Sequence, residues 1–244
     1  MPTTTCPCGT TVEGADREAL AAAMVEHCGI AHPEWGLSTQ AALNFLDAFD
    51  RLTGPTARLD TVGPIEVRPA ASCVADVVSF FDHDAFADNP GWASCYCRCH
   101  HVAAEGWGDR PAARNRDELE SGLRDGAMTG FVATVGGRVA GWCNASRRAT
   151  MPRHRDDTSA DDQTASVVCF VVAPPYRGHG VARELLATTI EALRASGATA
   201  VEAYPLRNPA DGAAAYHGTV GMFEAAGFDV TRDDDHGIVM RRTL

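Results

Sequence analysis

Lysine is missing from this 244-residue chain. All 21 basic residues are arginine, against 32 aspartates and glutamates, and the formal net charge is −11. So little positive charge argues against nucleic-acid binding, which needs a basic footprint, and against a nucleic-acid-binding zinc protein in particular. A Walker phosphate loop is excluded as well, because it requires Gly-Lys-Ser/Thr. No apolar run approaches the roughly 20 residues of a membrane span, so no membrane partner is expected. Residues 1–6 lack a basic segment followed by an apolar one, so no secretory signal is read and a cytoplasmic location is expected. An acidic surface raises the local concentration of cations, which suits a cationic small-molecule partner. Hydrophobic residues make up 45% of the chain, enough for a sizeable core.

The nine cysteines are an odd number without an export signal. That favours reduced thiols or metal ligands over a disulfide framework. Cys73, Cys143 and Cys169 are isolated and read as small buried hydrophobes. Cys6, Cys8, His27 and His32 form Cys-x-Cys, an 18-residue gap and His-x4-His. Two thiolates and two imidazoles suit tetrahedral zinc, and the second spacing falls in the zinc-finger range. The other reading puts His27 in a helix core and leaves Cys6 and Cys8 as thiols of a loose end. Cys95, Cys97 and Cys99 alternate, which predicts a strand with all three thiols on one face.

Two units are expected, residues 1–52 and residues 65–244. They are joined by a linker, 53–64, marked by glycine, proline and threonine. The small unit opens with the knuckle Cys6-Pro7-Cys8-Gly9. A helix capped by Asp16 follows, with Leu20, Met24 and His27 on one face, bounded by Gly29 and Pro33. A second helix, 38–52, is capped by Ser38 and turns Leu43, Leu46, Phe49 and Leu52 inward. A unit this small buries little apolar surface, so a metal staple would help it fold.

The large unit alternates strand and helix signals. A strand at 65–68 precedes helices at 73–86 and at 115–127, the latter capped by Asn115. Strands 131–135 and 138–142 flank the hairpin signal Gly136-Gly137. A polar surface loop at 151–163 leads to strand 166–173, helix 181–195, strand 198–204 and helix 219–226. Strands 228–231 and 237–241 close an α/β sandwich.

The stretch from Val171 to Leu186 carries the chemistry. An apolar strand ends at Pro174-Pro175, a glycine-bearing turn follows, and an amphipathic helix begins at once. Free amides at a helix N-terminus, with the dipole behind them, bind pyrophosphate. Gly178 and Gly180 let phosphate approach the main chain. A Rossmann loop would need a third glycine. An ordinary βα turn with incidental glycines is the plainer alternative.

Arg177-Gly178-His179-Gly180-Val181-Ala182 resembles the Arg/Gln-x-x-Gly-x-Gly/Ala signature of the GNAT N-acetyltransferase superfamily. The preceding Val-x-Pro and the following Leu-Leu match too. Residues 65–70 resemble that family's first strand, and Phe223-Glu224-Ala225-Ala226-Gly227-Phe228 its fourth-helix ending, so the resemblance covers 65–244. It implies an acyl-CoA N-acyltransferase sandwich, with a mixed, mainly antiparallel sheet flanked by helices. Acetyl-CoA would be the co-substrate. Phe170, Val171 and Val172 would pair with its pantetheine arm where two strands splay. The N–H near Val172 would polarise the thioester carbonyl. Arg177, Gly178, His179, Gly180, Val181, Ala182 and Arg183 would hold the pyrophosphate.

The implied reaction is direct attack by the primary amine of a small molecule or peptide in a ternary complex. An alkylammonium has a pKa near 10, so the amine needs a base. Glu202, mid-strand among apolar neighbours, is the first candidate and His217 the second. Many members carry a proton-donating tyrosine where this chain has Phe223, which leaves water, Tyr216 or Tyr204 as donors. Residues 95–101, with Trp92, Trp107 and Cys143, would then form an acceptor-pocket wall rather than a metal site. The alternative to an enzyme is a zinc-bearing regulatory module that binds acyl-CoA with little or no turnover.

Overall fold

The computed structural model describes residues 1–154, 163–207 and 214–244. Of the expected loop at 151–163, Pro152–His154 form a 3-10 turn, and 155–162 lie outside the described residues.

The small unit contains a hairpin that the sequence reading missed. Strands β1 (Thr3–Thr5) and β2 (Thr11–Glu13) pair antiparallel, with Thr4 opposite Val12. The cysteine knuckle is its turn: Gly9, at φ +90°, donates to the Cys6 carbonyl, and Cys6 donates to Thr10, each at 2.8 Å. Three-residue strands rich in threonine carry too little apolar alternation to be legible. Helix α1 (Arg17–Ala31) is capped as expected, with Asp16 accepting from Ala19 N at 2.8 Å. Helix α2 (Thr39–Arg51) is capped by Ser38, which accepts from Ala41 N at 3.2 Å.

The inward face of α2 differs from expectation, for Phe49 is 66% exposed. Two partners claim this helix. Ala42 and Leu46 meet Leu20 and Ala21 in a small core. Asn44 faces the large unit, donating to the Arg110 carbonyl at 2.9 Å and accepting from Ala112 N at 3.0 Å. Leu43, Leu46 and Leu52 keep the inward side expected of them, and of the four only Phe49 turns to solvent.

The large unit is built on seven strands: β3 (Ile65–Pro69), β4 (Gly130–Val135), β5 (Arg138–Arg147), β6 (Thr164–Val172), β7 (Ala200–Ala203), β8 (Asp229–Asp234) and β9 (Gly237–Thr243). Their spatial order is β3-β4-β5-β6-β7-β9-β8, antiparallel except for the parallel pair β6–β7. A parallel pair needs a crossover, here α5 (Val181–Ala195), which lays Val181, Leu185, Leu186 and Ile190 into one core. Helices α3 (Val74–His83) and α4 (Ala112–Asp125) share a second core with Trp142 and Val171. Helix α6 (Val220–Ala225) precedes the closing hairpin.

One expected cap is displaced. Helix α4 starts three residues before Asn115, which is buried inside it. Its amide donates to the Ser94 carbonyl at 2.8 Å and accepts from Arg110 Nε at 2.8 Å. The residue preferred at caps is here used as a buried polar tie.

Candidate active site

The parallel pair β6–β7 is short. Thr164–Val167 match Ala200–Ala203 residue for residue, and residues 168–172 of β6 have no partner in β7. On its other edge β6 carries one extra residue, Val168, between the pairs Asn144–Cys169 and Ala145–Val167. Such a bulge bends a strand and increases its twist. A cavity of about 630 Å³ opens along the parted strand. Phe170, Val171 and Val172 form one wall, and Tyr216 and Gly218 face them.

At one end of this cleft lies the glycine turn before α5. Gly178 and Gly180 sit at φ +79° and +85°, in the left-handed region glycine tolerates. Among the described residues, the amides of 178–182 have no backbone acceptor, so five donors are available at the N-terminus of α5. Gly178, Gly180, Val181, Ala182 and Arg183 line the cleft. The guanidinium of Arg177 is engaged elsewhere: it donates to the Val172 carbonyl at 2.9 Å and to Asp88 at 3.0 Å. His179 turns its ring away, with Nε2 on the Leu59 carbonyl at 2.8 Å. Of the two, His179 keeps a free amide, whereas the Arg177 amide is spent on the Pro174 carbonyl at 3.4 Å.

Glu202 and His217 fall in different surroundings. Glu202, buried in β7, is bound by two arginines, Arg148 at 3.1 Å and Arg241 at 2.8 Å. It also accepts from the Tyr204 hydroxyl at 3.1 Å, and that hydroxyl lies 2.9 Å from Ser166 Oγ. A carboxylate so engaged would surrender two ion pairs to take a proton. His217 stands where the strands part, with Nδ1 on the Val168 carbonyl at 2.9 Å. The carbonyl only accepts, so Nδ1 holds the proton and Nε2 keeps a free lone pair. Burial lowers the His217 pKa to about 4, which keeps the ring neutral.

Rings extend outward from it: His217 lies 5.5 Å from His100, His100 Nδ1 is 3.1 Å from His154 Nε2, and His154 stacks on Tyr204 at 4.2 Å. Burial, then the neighbouring His217, lowers His154 to about 4, and burial, then His154, lowers His100 to about 2. His154 carried no sequence signal, being one polar residue in a polar stretch. Tyr216, its ring 4.0 Å from His217, lines the cleft, and burial raises its pKa.

A family model of the acetyltransferase (GNAT) family matches residues 91–228, more than half of the chain and including the parted strand and the glycine turn. The chain belongs to the GNAT acetyltransferase family. It is therefore an acyltransferase by family, with the α/β GNAT fold. Comparison with curated protein sequences finds no match. Solved structures of similar shape include a ribosomal-protein-alanine N-acetyltransferase from Brucella melitensis, at 20% identity and TM-score 0.45, covering 73% of this chain and 99% of that one. The PaiA N-acetyltransferase of Thermoplasma acidophilum in complex with coenzyme A is 13% identical, TM-score 0.47, with 75% and 100% covered. A GCN5-related N-acetyltransferase from Kribbella flavida is 19% identical, TM-score 0.43, with 74% and 98% covered.

In this GNAT chain the cysteine-rich segment is not the strand its alternation predicted. Residues 95–98 are turns, and Cys99–His101 form a 3-10 helix. Tyr96 and Cys97 take φ +44° and +55°, unusual for residues with a Cβ. They are anchored: Tyr96 donates to Asp82 at 2.7 Å, and Asn144 donates to the Cys97 carbonyl at 3.1 Å. Those contacts override the period-two pattern. Cys95 and Cys99 influence each other's titration: the pair holds the Cys95 pKa down near 7 and raises that of Cys99. Trp92 lines the cleft, its ring 5.1 Å from Tyr216.

The small unit gathers Cys6, Cys8, His27 and His32, one ligand atom from each lying within 4.8 Å of the others. The hairpin turn supplies both sulfurs and the end of α1 both imidazoles. Cys8 Sγ lies 3.4 Å from His27 Nε2. The neighbouring Thr10, and then His32, lower the Cys8 pKa to about 5. His32 Nε2 is buried without a hydrogen-bond partner among the described residues. Among those residues this is the one such group of metal-ligating side chains.

Proposed function

We propose that this chain is an N-acetyltransferase that moves an acetyl group from acetyl-CoA to a primary amine of a small molecule or peptide, by direct attack in a ternary complex. The observation that carries the reading is the parting of β6 from β7 beside an amide-rich glycine turn: one cleft with an apolar slot for a pantetheine arm and donors for its phosphates. Phe170, Val171 and Val172 line the arm, and the amide near Val172 polarises the thioester carbonyl. Residues 177–183 take the pyrophosphate, chiefly through main chain. His217 is the better placed base, because its Nε2 lone pair is free. Glu202 serves as a positioning residue that holds Arg148, Arg241 and Tyr204. Tyr216, on the cleft wall, is the proposed acid for the departing thiolate. A net charge of −11 supports a cationic acceptor. The proposed setting is the cytoplasm, where a thiol-rich chain stays reduced.

In this proposal residues 65–244 are the catalytic unit and 1–52 an accessory unit, joined by 53–64. The accessory unit holds a zinc ion through Cys6, Cys8, His27 and His32. Its donor set is the one zinc prefers, and ligands at about 2.0–2.3 Å from a tetrahedral ion lie about 3.3–3.8 Å apart, as Cys8 and His27 do. The orphaned His32 Nε2 is what a ligand awaiting its ion looks like. A four-residue apolar core supports the need for a staple.

The experiment is an amine panel incubated with acetyl-CoA, read as release of CoA thiol, alongside calorimetric binding of acetyl-CoA. Turnover with at least one amine is expected. Gly180→Asp should abolish binding by filling the nest with a repelling carboxylate. Folded wild-type protein that binds no acetyl-CoA would reject the reading. Binding without thiol release for any amine would favour the regulatory module.

A further inference from the structure

The linker between the two units is fixed against the cofactor turn. Leu59 N–H donates to the Pro175 carbonyl at 3.0 Å, and the Leu59 carbonyl accepts from His179 Nε2 at 2.8 Å. Leu59 is thus tied both to the start of the turn and to its centre. This register puts the preceding residue, Arg58, directly on Gly178. A Cβ added to Gly178 would meet Arg58 Nη2 at 2.7 Å and Cζ at 2.9 Å. The positive φ favours glycine at 178, and the bare main chain there lets the Arg58 guanidinium lie directly against it.

The arginines of the chain supply a second, independent observation. In a protein of net charge −11 nearly all of them are engaged by carboxylates, carbonyls or rings. Among the described residues only Arg58 and Arg183 have side chains without any such partner. Both abut the same turn: a Cβ on Gly180 would lie 4.0 Å from Arg183 Nη2. Two unpaired guanidinium groups, free amides and the positive end of α5 therefore crowd one place. Like charges gathered this way repel one another until an anion joins them.

We infer that Arg58 is a ligand for a phosphate of the CoA co-substrate, delivered by the linker. The inference rests on the acetyl-CoA reading above and extends the binding site outside the 65–244 unit. CoA offers a pyrophosphate and a ribose 3′-phosphate, and Arg58, exposed on the solvent side of the turn, can serve either. A guanidinium pairs with phosphate oxygens through two parallel N–H bonds, which an ammonium cannot reproduce. Arg58 touches no reacting atom, so its effect belongs in binding.

The test is calorimetry of the full chain and its variants with acetyl-CoA and with the 3′-dephospho analogue. Arg58→Ala should weaken acetyl-CoA binding about 5- to 20-fold and raise KM for acetyl-CoA while kcat stays within about twofold. Arg68→Ala, which removes the same charge from an exposed pair with Asp76, should leave both unchanged. A penalty that disappears with the dephospho analogue assigns Arg58 to the 3′-phosphate, and an equal penalty assigns it to the pyrophosphate. Wild-type affinity in Arg58→Ala overturns the inference while leaving the acetyltransferase reading intact. A wild-type chain that binds neither compound overturns both.

Discussion

Arg148 and Glu202 form an ion pair sealed from solvent, Nη1 to Oε2 3.1 Å, with 5% and 7% of their side chains exposed. Removing one partner from such a pair strands the other charge in a low-dielectric place. Glu202→Gln should therefore destabilise the fold by about 3–5 kcal/mol, read as a lower denaturant midpoint. For protein that remains folded, turnover should fall less than about tenfold, because the carboxylate positions its neighbours. A loss of about 10² to 10⁴ at unchanged stability would instead make Glu202 the base.

Four imidazoles are buried neutral, and the sign of their effect follows. His100 is lowered to about 2, and His101, His154 and His217 to about 4, chiefly by burial. Unfolded, each titrates near 6.5, so below that pH the unfolded chain binds protons that the folded chain refuses. Stability is fully present above about pH 6.5 and is lost as pH falls toward 4. Each histidine contributes a slope of about 1.4 kcal/mol per pH unit in that window. Thermal unfolding followed from pH 8 to 4 (an assay range of about two units around the unfolded value) should show the fall beginning near 6.5. His154→Gln should make it shallower. A melting temperature independent of pH across that window would contradict the buried-neutral assignment.

Much of this molecule was legible because local rules and tertiary packing agree there. Helix α5 runs over the span its apolar spacing predicted, and Gly136-Gly137, at φ +57° and +80°, turns the β4–β5 hairpin. The glycine turn before α5 was legible as a turn with free amides because backbone chemistry alone builds it. Side-chain partners were not legible. Whether Glu202 faces a substrate or two arginines depends on Arg148 and Arg241, which are 54 and 39 residues away. The stretch from Cys95 to His101 followed tertiary contacts through Asp82 and Asn144 instead of its own alternation. The linker's glycines and prolines signalled an absence of regular structure, which is correct, and concealed that Leu59 is bonded to the glycine turn before α5.

Phe223 offers a sharper test of the leaving-group chemistry than its sequence position suggested. It is fully buried, with its ring 6.3 Å from Phe170 and 5.2 Å from Phe228. Phe223→Tyr should not raise turnover, and a hydroxyl buried there without a partner should cost about 1–3 kcal/mol. Tyr216→Phe, on the cleft wall, should lower kcat about 10- to 100-fold while acetyl-CoA affinity holds. The reverse pattern, a gain at 223 and none lost at 216, would move the acid to position 223.

Zinc should be present at about one ion per purified chain, since a Cys2His2 set binds it in a closed tetrahedral site. Cys6 and Cys8 come from a hairpin with hardly any apolar surface, and His27 and His32 from the far end of α1. The buried apolar core of the unit comprises Leu20, Ala21, Ala42 and Leu46, with Val12, Met24, Val25, Leu37 and Leu43 packed against it, and no residue of the Cys6–Thr10 turn belongs to it. Chelation should therefore loosen the hairpin and α1, read as increased amide exchange across residues 3–31. Helix α2 should stay protected, because Asn44 ties it to Arg110 and Ala112 independently of the metal. Acetyl-CoA binding should persist for the same reason. His32→Asn should reduce the bound zinc well below one equivalent, and Cys28→Ala, a buried thiol outside the ligand set, should not. Elemental analysis that finds no zinc in protein produced with the metal in excess, and amide exchange unchanged by chelator, would show the four side chains to be a structural cluster without an ion.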